Sequence, residues 1–245
     1  MKRVAEILKW FFLLGYFPVM ISFVSVAERS AILSDVRVHV VDSMEVSFIK
    51  GEEIRANLLD NYPSLLGYEI SNLNLYQLEQ FVKEHSAIME CNIYDSPEGI
   101  INIIVEQHKP VVRIFDKNRS FYLNRSGEEI PVSDAFTARV LVVNGAIPND
   151  LDQLKRVVDI IAADSFWYSQ IEQIYINDDN QYLLVPRVGD HHILLGEAVD
   201  VDIKLRNLKA VYREGLSPQE WNEFKVIDLR YRNQVLCSRD RDINF

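Results

Sequence analysis

The stretch from Trp10 to Ala27 carries no charged side chain, and it restricts this chain more than any other feature. It contains four Phe, three Val, two Leu and single Ile and Met residues among its 18. As a helix it reaches about 27 Å, close to the roughly 30 Å hydrocarbon core of a bilayer. It is apolar all round rather than striped, so a soluble amphipathic helix fits it poorly. Gly15 and Pro18 are tolerated in spanning helices. Lys2, Arg3 and Lys9 precede the run; Glu28, Arg29 and Asp35 lie beyond it. The basic residues on the short side predict a cytoplasmic N-terminus, with Lys9 snorkelling and the bulk of the chain across the membrane. Ser25-Val26-Ala27 would suit a signal peptidase. The run is longer than the about 7–15 residues of a cleaved signal core, which favours a retained anchor.

The remainder of the 245-residue chain has room for two small domains. Hydrophobic residues at 48% and charged residues at 25% predict a packed core rather than disorder. A net charge of -10 lacks the basic footprint that phosphate binding needs, so nucleic acid is excluded as a partner. The two cysteines, Cys91 and Cys237, fall in separate segments and make no Cys-x-x-Cys; they read as small buried hydrophobes, with a disulfide left open.

Periodicity gives a first set of elements. Val36, Val38 and Val40 alternate with Arg37 and His39, a strand pattern. Gly51-Glu52-Glu53 opens a helix carrying Ile54 and Leu58, which Pro63 ends. Asn74 with Gln77 three residues on reads as a capping box before Leu75, Leu78 and Val82. Strands Ala87–Tyr94 and Ile100–Glu106 flank the turn Ser96-Pro97-Glu98-Gly99. Strand, helix, helix, strand, strand makes a small α+β domain on a three-stranded sheet.

Beyond Pro110 the chain becomes richer in strands. Val111–Phe115, Ser120–Asn124 and Arg139–Asn144 come first. A helix beginning at Asn149 or Asp150 carries Leu151, Leu154, Val158 and Ile161 and runs to Trp167 and Tyr168. Ile171–Asn177, Tyr182–Val188 and His191–Leu195 read as an antiparallel meander. A helix over Val201–Tyr212 and a capping box at Ser217-Pro218-Gln219-Glu220 come next. A long final strand starts at Val226, with Ile227, Leu229 and Tyr231 facing inward and Asp228, Arg230 and Arg232 outward.

No constellation of residues points to catalysis. There is no phosphate loop, Gly-x-Ser-x-Gly elbow or His-Glu-x-x-His. Asp190-His191-His192 is a poor metal site, because neighbouring strand residues face opposite ways. Asp178-Asp179 reads as turn chemistry and Glu128-Glu129 as a solvated corner. Trp167, Tyr168 and Trp221 read as core or half-core aromatics before binding anchors. No cofactor or metal is expected from these residues.

Three groups of residues together resemble the FtsQ/DivIB cell-division family. One is the basic tail and single apolar run. Another is the segment from Phe48-Ile49-Lys50-Gly51-Glu52-Glu53-Ile54 to Ile103-Ile104-Val105-Glu106-Gln107-His108-Lys109-Pro110, which resembles a POTRA domain. Its end is similar to the family's Val-Glu-Arg-x-Pro exit, with Gln107 where Arg is usual and one extra residue before Pro110. Tyr122-Leu123-Asn124-Arg125-Ser126-Gly127 then looks like the opening Tyr-Leu-Asp-x-x-Gly, with Asn124 for Asp. The last group is Leu194-Leu195-Gly196, Lys204-Leu205, Trp221 and the Val226–Val235 stretch.

The resemblance implies an α+β chain: cytoplasmic tail 1–9, transmembrane helix 10–27, linker 28–35, POTRA-like domain 36–110 and a mostly antiparallel β domain 111–245 with flanking helices. It implies a bitopic inner-membrane divisome scaffold with periplasmic C-terminal domains. Such a scaffold recruits FtsB and FtsL, contacts other division proteins and supports septal wall synthesis. The family pairs its final strand with FtsB, which carries over to Val226, Asp228, Arg230, Tyr231, Arg232, Gln234 and Val235 as partner-binding residues. An exposed edge suits strand addition on physical grounds as well. The opposing possibility is a strand internal to its sheet, with solvated arginines. Two other functions stay open: a POTRA-bearing envelope assembly or translocation factor, and an envelope enzyme or ligand-binding protein.

Overall fold

The computed structural model describes residues 10, 14–18, 20, 31–41, 47–117, 119–134, 136–215 and 220–240. The Trp10–Ala27 run lies mostly outside these, and among the described residues no helix is long and apolar enough to cross a membrane. The chain divides into two compact units, 1–107 and 108–245.

In the first unit, β1 (Asp35–Val40), α1 (Gly51–Asn61), α2 (Leu75–Lys83), β2 (Ile88–Ser96) and β3 (Ile100–Gln107) come in order. The last strand in sequence is the middle one in space, parallel to β1 and antiparallel to β2. Its Ile101, Ile103 and Val105 are fully enclosed, as a central strand requires. The helices bury Ile54 and Leu58 from α1 and Leu78 and Val82 from α2. Asn74 Oδ1 accepts from the Gln77 N–H at 3.1 Å and so starts α2. Gly99 closes the β2–β3 turn at φ +78°, where a Cβ would lie 2.5 Å from the Ile32 carbonyl oxygen. The unit ends three residues earlier than expected, because Pro110 already pairs with Asn124 in the second sheet.

The second unit opens with β4 (Pro110–Asp116), β5 (Arg119–Asn124), β6 (Glu129–Pro131) and β7 (Leu141–Gly145). Next are α3 (Asp152–Ala163), α4 (Ser165–Gln170), β8 (Ile171–Ile176), β9 (Tyr182–Pro186) and β10 (His192–Gly196). It closes with α5 (Val201–Ala210), β11 (Val226–Asp228) and β12 (Leu236–Ser238). All nine strands form one sheet in the order β12-β11-β10-β9-β8-β7-β4-β5-β6. The sheet is mixed, with three parallel contacts: β4–β7, β7–β8 and β10–β11. Parallel neighbours need a crossover connection. The α3–α4 pair supplies one between β7 and β8, and α5 supplies another between β10 and β11.

The larger core cluster of this unit joins its helices to the sheet. Leu154, Val158 and Ile161 of α3, Trp167 of α4 and Leu205 and Leu208 of α5 pack on alternate strand residues such as Ile114, Val143, Ile174, Leu184, Ile193 and Ile227. The helix expected from Asn149 through Tyr168 is two helices. Asp164 takes an extended backbone and its carboxylate accepts from the Phe166 N–H at 2.9 Å, so it ends α3 and caps α4. Trp167 is thereby turned inward while Tyr168 stays exposed. Gly145, at φ +100°, brings its backbone against the Ile176 carbonyl, where a Cβ would lie 2.1 Å from the oxygen.

The last strand also departs from expectation. It does not run from Val226 to Leu236. Pairing with β10 continues only to Leu229, whose N–H donates to the Leu194 carbonyl at 2.9 Å. The chain then turns, with Asn233 at φ +57° and the Gln234 N–H on the Tyr231 carbonyl at 3.2 Å. It returns as β12, antiparallel to β11. The polar run Arg230–Gln234 makes the turn, and Asn enters the left-handed region more readily than most residues. The capping box expected at Ser217-Pro218-Gln219-Glu220 falls mainly outside the described residues.

Replacing Trp167 by Ala removes the largest side chain buried in this core. Urea unfolding should show a loss of about 3–5 kcal/mol; a loss below about 1 kcal/mol would mean that α4 does not anchor the helical layer.

Candidate docking surface

An open sheet leaves main-chain donors and acceptors unpaired along its two outer strands. On one border, β6 has three residues and ends in Pro131, which has no N–H to offer. Next to it Arg119 grips Glu129 through two hydrogen bonds of 2.7 and 3.0 Å. The other border is β12, three residues without proline, and its Leu236 is 47% exposed. Cys237 and Val235 are only partly covered and pack against the main core, so apolar packing runs out to this edge unfinished.

The residues assigned by sequence to a free strand are distributed differently. Val226 and Asp228 lie in β11, which has β10 on one side and β12 on the other and is therefore internal. Arg230, Tyr231, Arg232 and Gln234 belong to the turn, and Val235 leads into β12. Tyr231 does not face the core: it is 54% exposed, because the alternation stops where the chain turns. Arg230 is not an unattached outward arginine either. Its Nε and Nη2 donate to both Asp228 carboxylate oxygens at 2.6–3.1 Å, and its own N–H donates to Asp228 Oδ1 at 2.9 Å. A planar guanidinium meeting a carboxylate in this way fixes the direction in which the chain leaves β11. Gly196 makes room for the pair: at φ +72°, it would place a Cβ 2.7 Å from Arg230 Cγ.

Beside the turn lies an open cleft of about 380 Å³, between residues 196–207 and the Arg230–Gln234 turn. Glu197, Asp200 and Lys204 line one side of it, Tyr231 and Arg232 the other. Lys204 Nζ donates to the Leu195 and Glu197 carbonyls at 2.8 and 2.9 Å, tying α5 to the end of β10. Burial lowers the affinity of this ammonium for its proton, and the neighbouring carboxylates of Asp200, Glu197 and Asp228 partly restore it.

Comparison with protein families joins this geometry to a lineage. A family model described as FtsQ/DivIB, C-terminal related, matches residues 109–238, more than half of the chain. The chain belongs to the FtsQ/DivIB family. A POTRA-like domain model matches residues 32–106, the first unit. No curated protein matches the chain. The FtsQ/DivIB family is one of non-enzymatic division scaffolds, which assigns this member a role in cell division.

Two departures from the FtsQ/DivIB motifs have structural work to do. Gln107, where Arg is usual, is buried, and its Oε1 accepts from the Ile49 N–H at 3.0 Å. A charged guanidinium, which has no acceptor, would leave that donor unmatched. Asn124, in place of Asp, donates from Nδ2 to Glu128 Oε2 at 2.7 Å while its Oδ1 accepts from the Glu128 N–H at 2.9 Å. An ionised Asp could accept the second bond but could not donate the first.

The remaining polar candidates are structural. Asp179 and Gln181 donate backbone N–H groups to Asn177 Oδ1, which makes the Asp178-Asp179 segment a turn. In Asp190-His191-His192, Asp190 is bonded to Lys225, His192 is exposed and His191 is buried. His191 Nε2 shares a short hydrogen bond with the hydroxyl of Tyr212, whose ring lies 4.7 Å between centroids from the half-buried Trp221. Sequence reading missed this cluster, which links the β9–β10 turn to the chain that descends into β11. A buried histidine is not a pattern in sequence, since its partner Tyr212 lies 21 residues away.

Burial holds the His191 imidazole below its usual range, with the His192 charge adding to the effect and the Trp221 backbone and Asp190 opposing it. The unfolded chain takes up this proton near pH 6.5, whereas the folded chain resists it until lower pH. Below about pH 6.5 the unfolded state binds more protons, so the effect is absent at pH 8 and subtracts stability as the pH falls. The melting midpoint of His191→Gln should fall less between pH 7.5 and 5.5 than that of the unsubstituted protein; parallel pH profiles would remove His191 as the source.

Proposed function

We propose that this chain is a bitopic scaffold of the inner membrane that recruits and holds FtsB, and through it FtsL, outside the cytoplasm in support of septal cell-wall synthesis. In this reading the run from Trp10 to Ala27 is the anchor, with Lys2, Arg3 and Lys9 on its cytoplasmic side. The POTRA-like and C-terminal units are periplasmic. The POTRA-like unit meets other inner-membrane division proteins. The family match over 109–238 favours this role over that of an assembly or translocation factor.

The observation that carries the proposal is the contrast between the borders of the nine-stranded sheet. One ends in a proline-terminated strand, and the other ends in β12, which has no second neighbour among the described residues and lies beside a cleft. A segment of FtsB adds to β12 as a tenth strand. Main-chain hydrogen bonds give it affinity, and side chains at alternate positions give it selectivity. The half-covered Cys237 and Val235 receive an apolar residue on the helical side. The docking edge is therefore Leu236–Ser238, and Arg230, Tyr231, Arg232 and Gln234 act from the adjoining cleft.

Proline scanning tests the edge. Along a strand, successive N–H groups point alternately to the neighbour and to the open border. Among Leu236→Pro, Cys237→Pro and Ser238→Pro, at least one removes an outward donor and leaves pairing with β11 intact. That variant should lose FtsB from detergent-solubilised complexes by tenfold or more while keeping its melting temperature. If every well-folded proline variant retains FtsB at the unsubstituted level, strand addition at β12 is wrong.

A further inference from the structure

The cleft beside β12 has a charge pattern that selects what the docked segment brings to it. Most of its cations are already engaged. Arg230 is held by Asp228 in a forked ion pair, and Lys204 Nζ is turned onto two carbonyl oxygens. Its anions are not. Glu197 and Asp200 are exposed, and among the described residues neither carboxylate has a hydrogen bond or a salt bridge. Asp200 stands at the N-cap of α5 at φ +51° and does not cap the helix that it opens. An aspartate at a helix start ordinarily satisfies a free N–H there; this one makes no such bond, and its carboxylate lines the cleft near Lys204. Against the two carboxylates stands Arg232, exposed on the turn and also without a partner among the described residues. Val199, Ile203 and Tyr231 add apolar surface to the same cleft.

We propose that the segment docking on β12 carries a lysine or arginine at the end that lies beside Gln234, seated against Glu197 and Asp200 with its stem over Ile203 and Tyr231. This rests on the docking reading given above and names the chemistry of the partner at that site. A long basic side chain suits the place because its methylene stem covers apolar surface while its head stays at the rim. Two acidic groups at an exposed rim discriminate between partners and set the register more than they bind, and salt weakens their effect.

The test is a selection on the full-length protein in detergent, from random 15-residue peptides displayed on phage. Peptides that depend on β12 are identified by loss of binding to the proline variants. Among these, a basic residue near one end should recur. A synthetic copy should bind about three- to tenfold more weakly to E197Q/D200N than to the unsubstituted protein. The same loss should result when its basic residue becomes Gln, and the two losses should not add. Because the chain carries a net charge of -10, it draws basic peptides in general. The deciding quantity is therefore the coupling between the two substitutions and not the enrichment. Peptides that depend on β12 but bind E197Q/D200N at full strength overturn the charge assignment and leave the edge intact. If no selected peptide depends on β12, the docking reading fails and this inference fails with it.

Discussion

A strand at the border of an open sheet has main-chain groups with nowhere to go inside its own fold, and the second unit is arranged around that fact. Eight contacts pair nine strands and leave β6 and β12 outermost. The identity of the second border depends on a chain of local causes. The crossover through α5 lays β11 parallel to β10. The fork between Arg230 and Asp228, over the space that Gly196 leaves empty, ends β11 and starts the turn. Asn233 in the left-handed region completes it, and three residues return as the border. Had the chain continued straight from Val226 to Leu236, β11 itself would have been outermost and the cleft would not exist.

Much of this is legible in the sequence where the signal is local. Ile54 with Leu58, Leu78 with Val82, and Leu154 with Val158 and Ile161 repeat at helical spacing, and the structure buries every one of them. The meander over β8, β9 and β10 is visible as apolar runs separated by Asp-Asp-Asn and Gly-Asp. What is not legible is non-local. Nothing near β7 says that its neighbours are β4 and β8, both parallel, since that depends on where the helices cross. Asp164 looks like one more polar residue on a helix until its backbone turns extended and its carboxylate caps the next one.

The residues around the final turn show the same division. The sequence pattern places Arg230 and Tyr231 inside a strand that runs from Val226 to Leu236, whereas the structure places them in the turn between β11 and β12. The alternation Ile227, Asp228, Leu229, Arg230, Tyr231 is a perfect strand pattern, and it holds as far as Leu229. The five polar or amphipathic residues Arg230–Gln234 carry the opposing signal, a turn by composition, which the alternation masks. Leu236–Ser238 has too few residues to register as a strand on any periodicity. Short edges are invisible to pattern reading for the reason that makes them safe: they offer little for a stray chain to pair with.

That brevity also governs how the border can be specific. Three residues supply few main-chain hydrogen bonds, and each contributes only about 0.5–1.5 kcal/mol net. A partner that met β12 alone would bind weakly and without preference. The extra selectivity has to come from the surfaces on either side of the ribbon. On the helical side it is the apolar packing that Val235 and Cys237 leave incomplete, and at the turn it is a cleft with acids on one wall and Arg232 on the other. In the proposed docking, the strand fixes direction and register, and the cleft discriminates. Under that proposal a docked segment has to satisfy all three surfaces together, since three residues of strand supply too little pairing on their own.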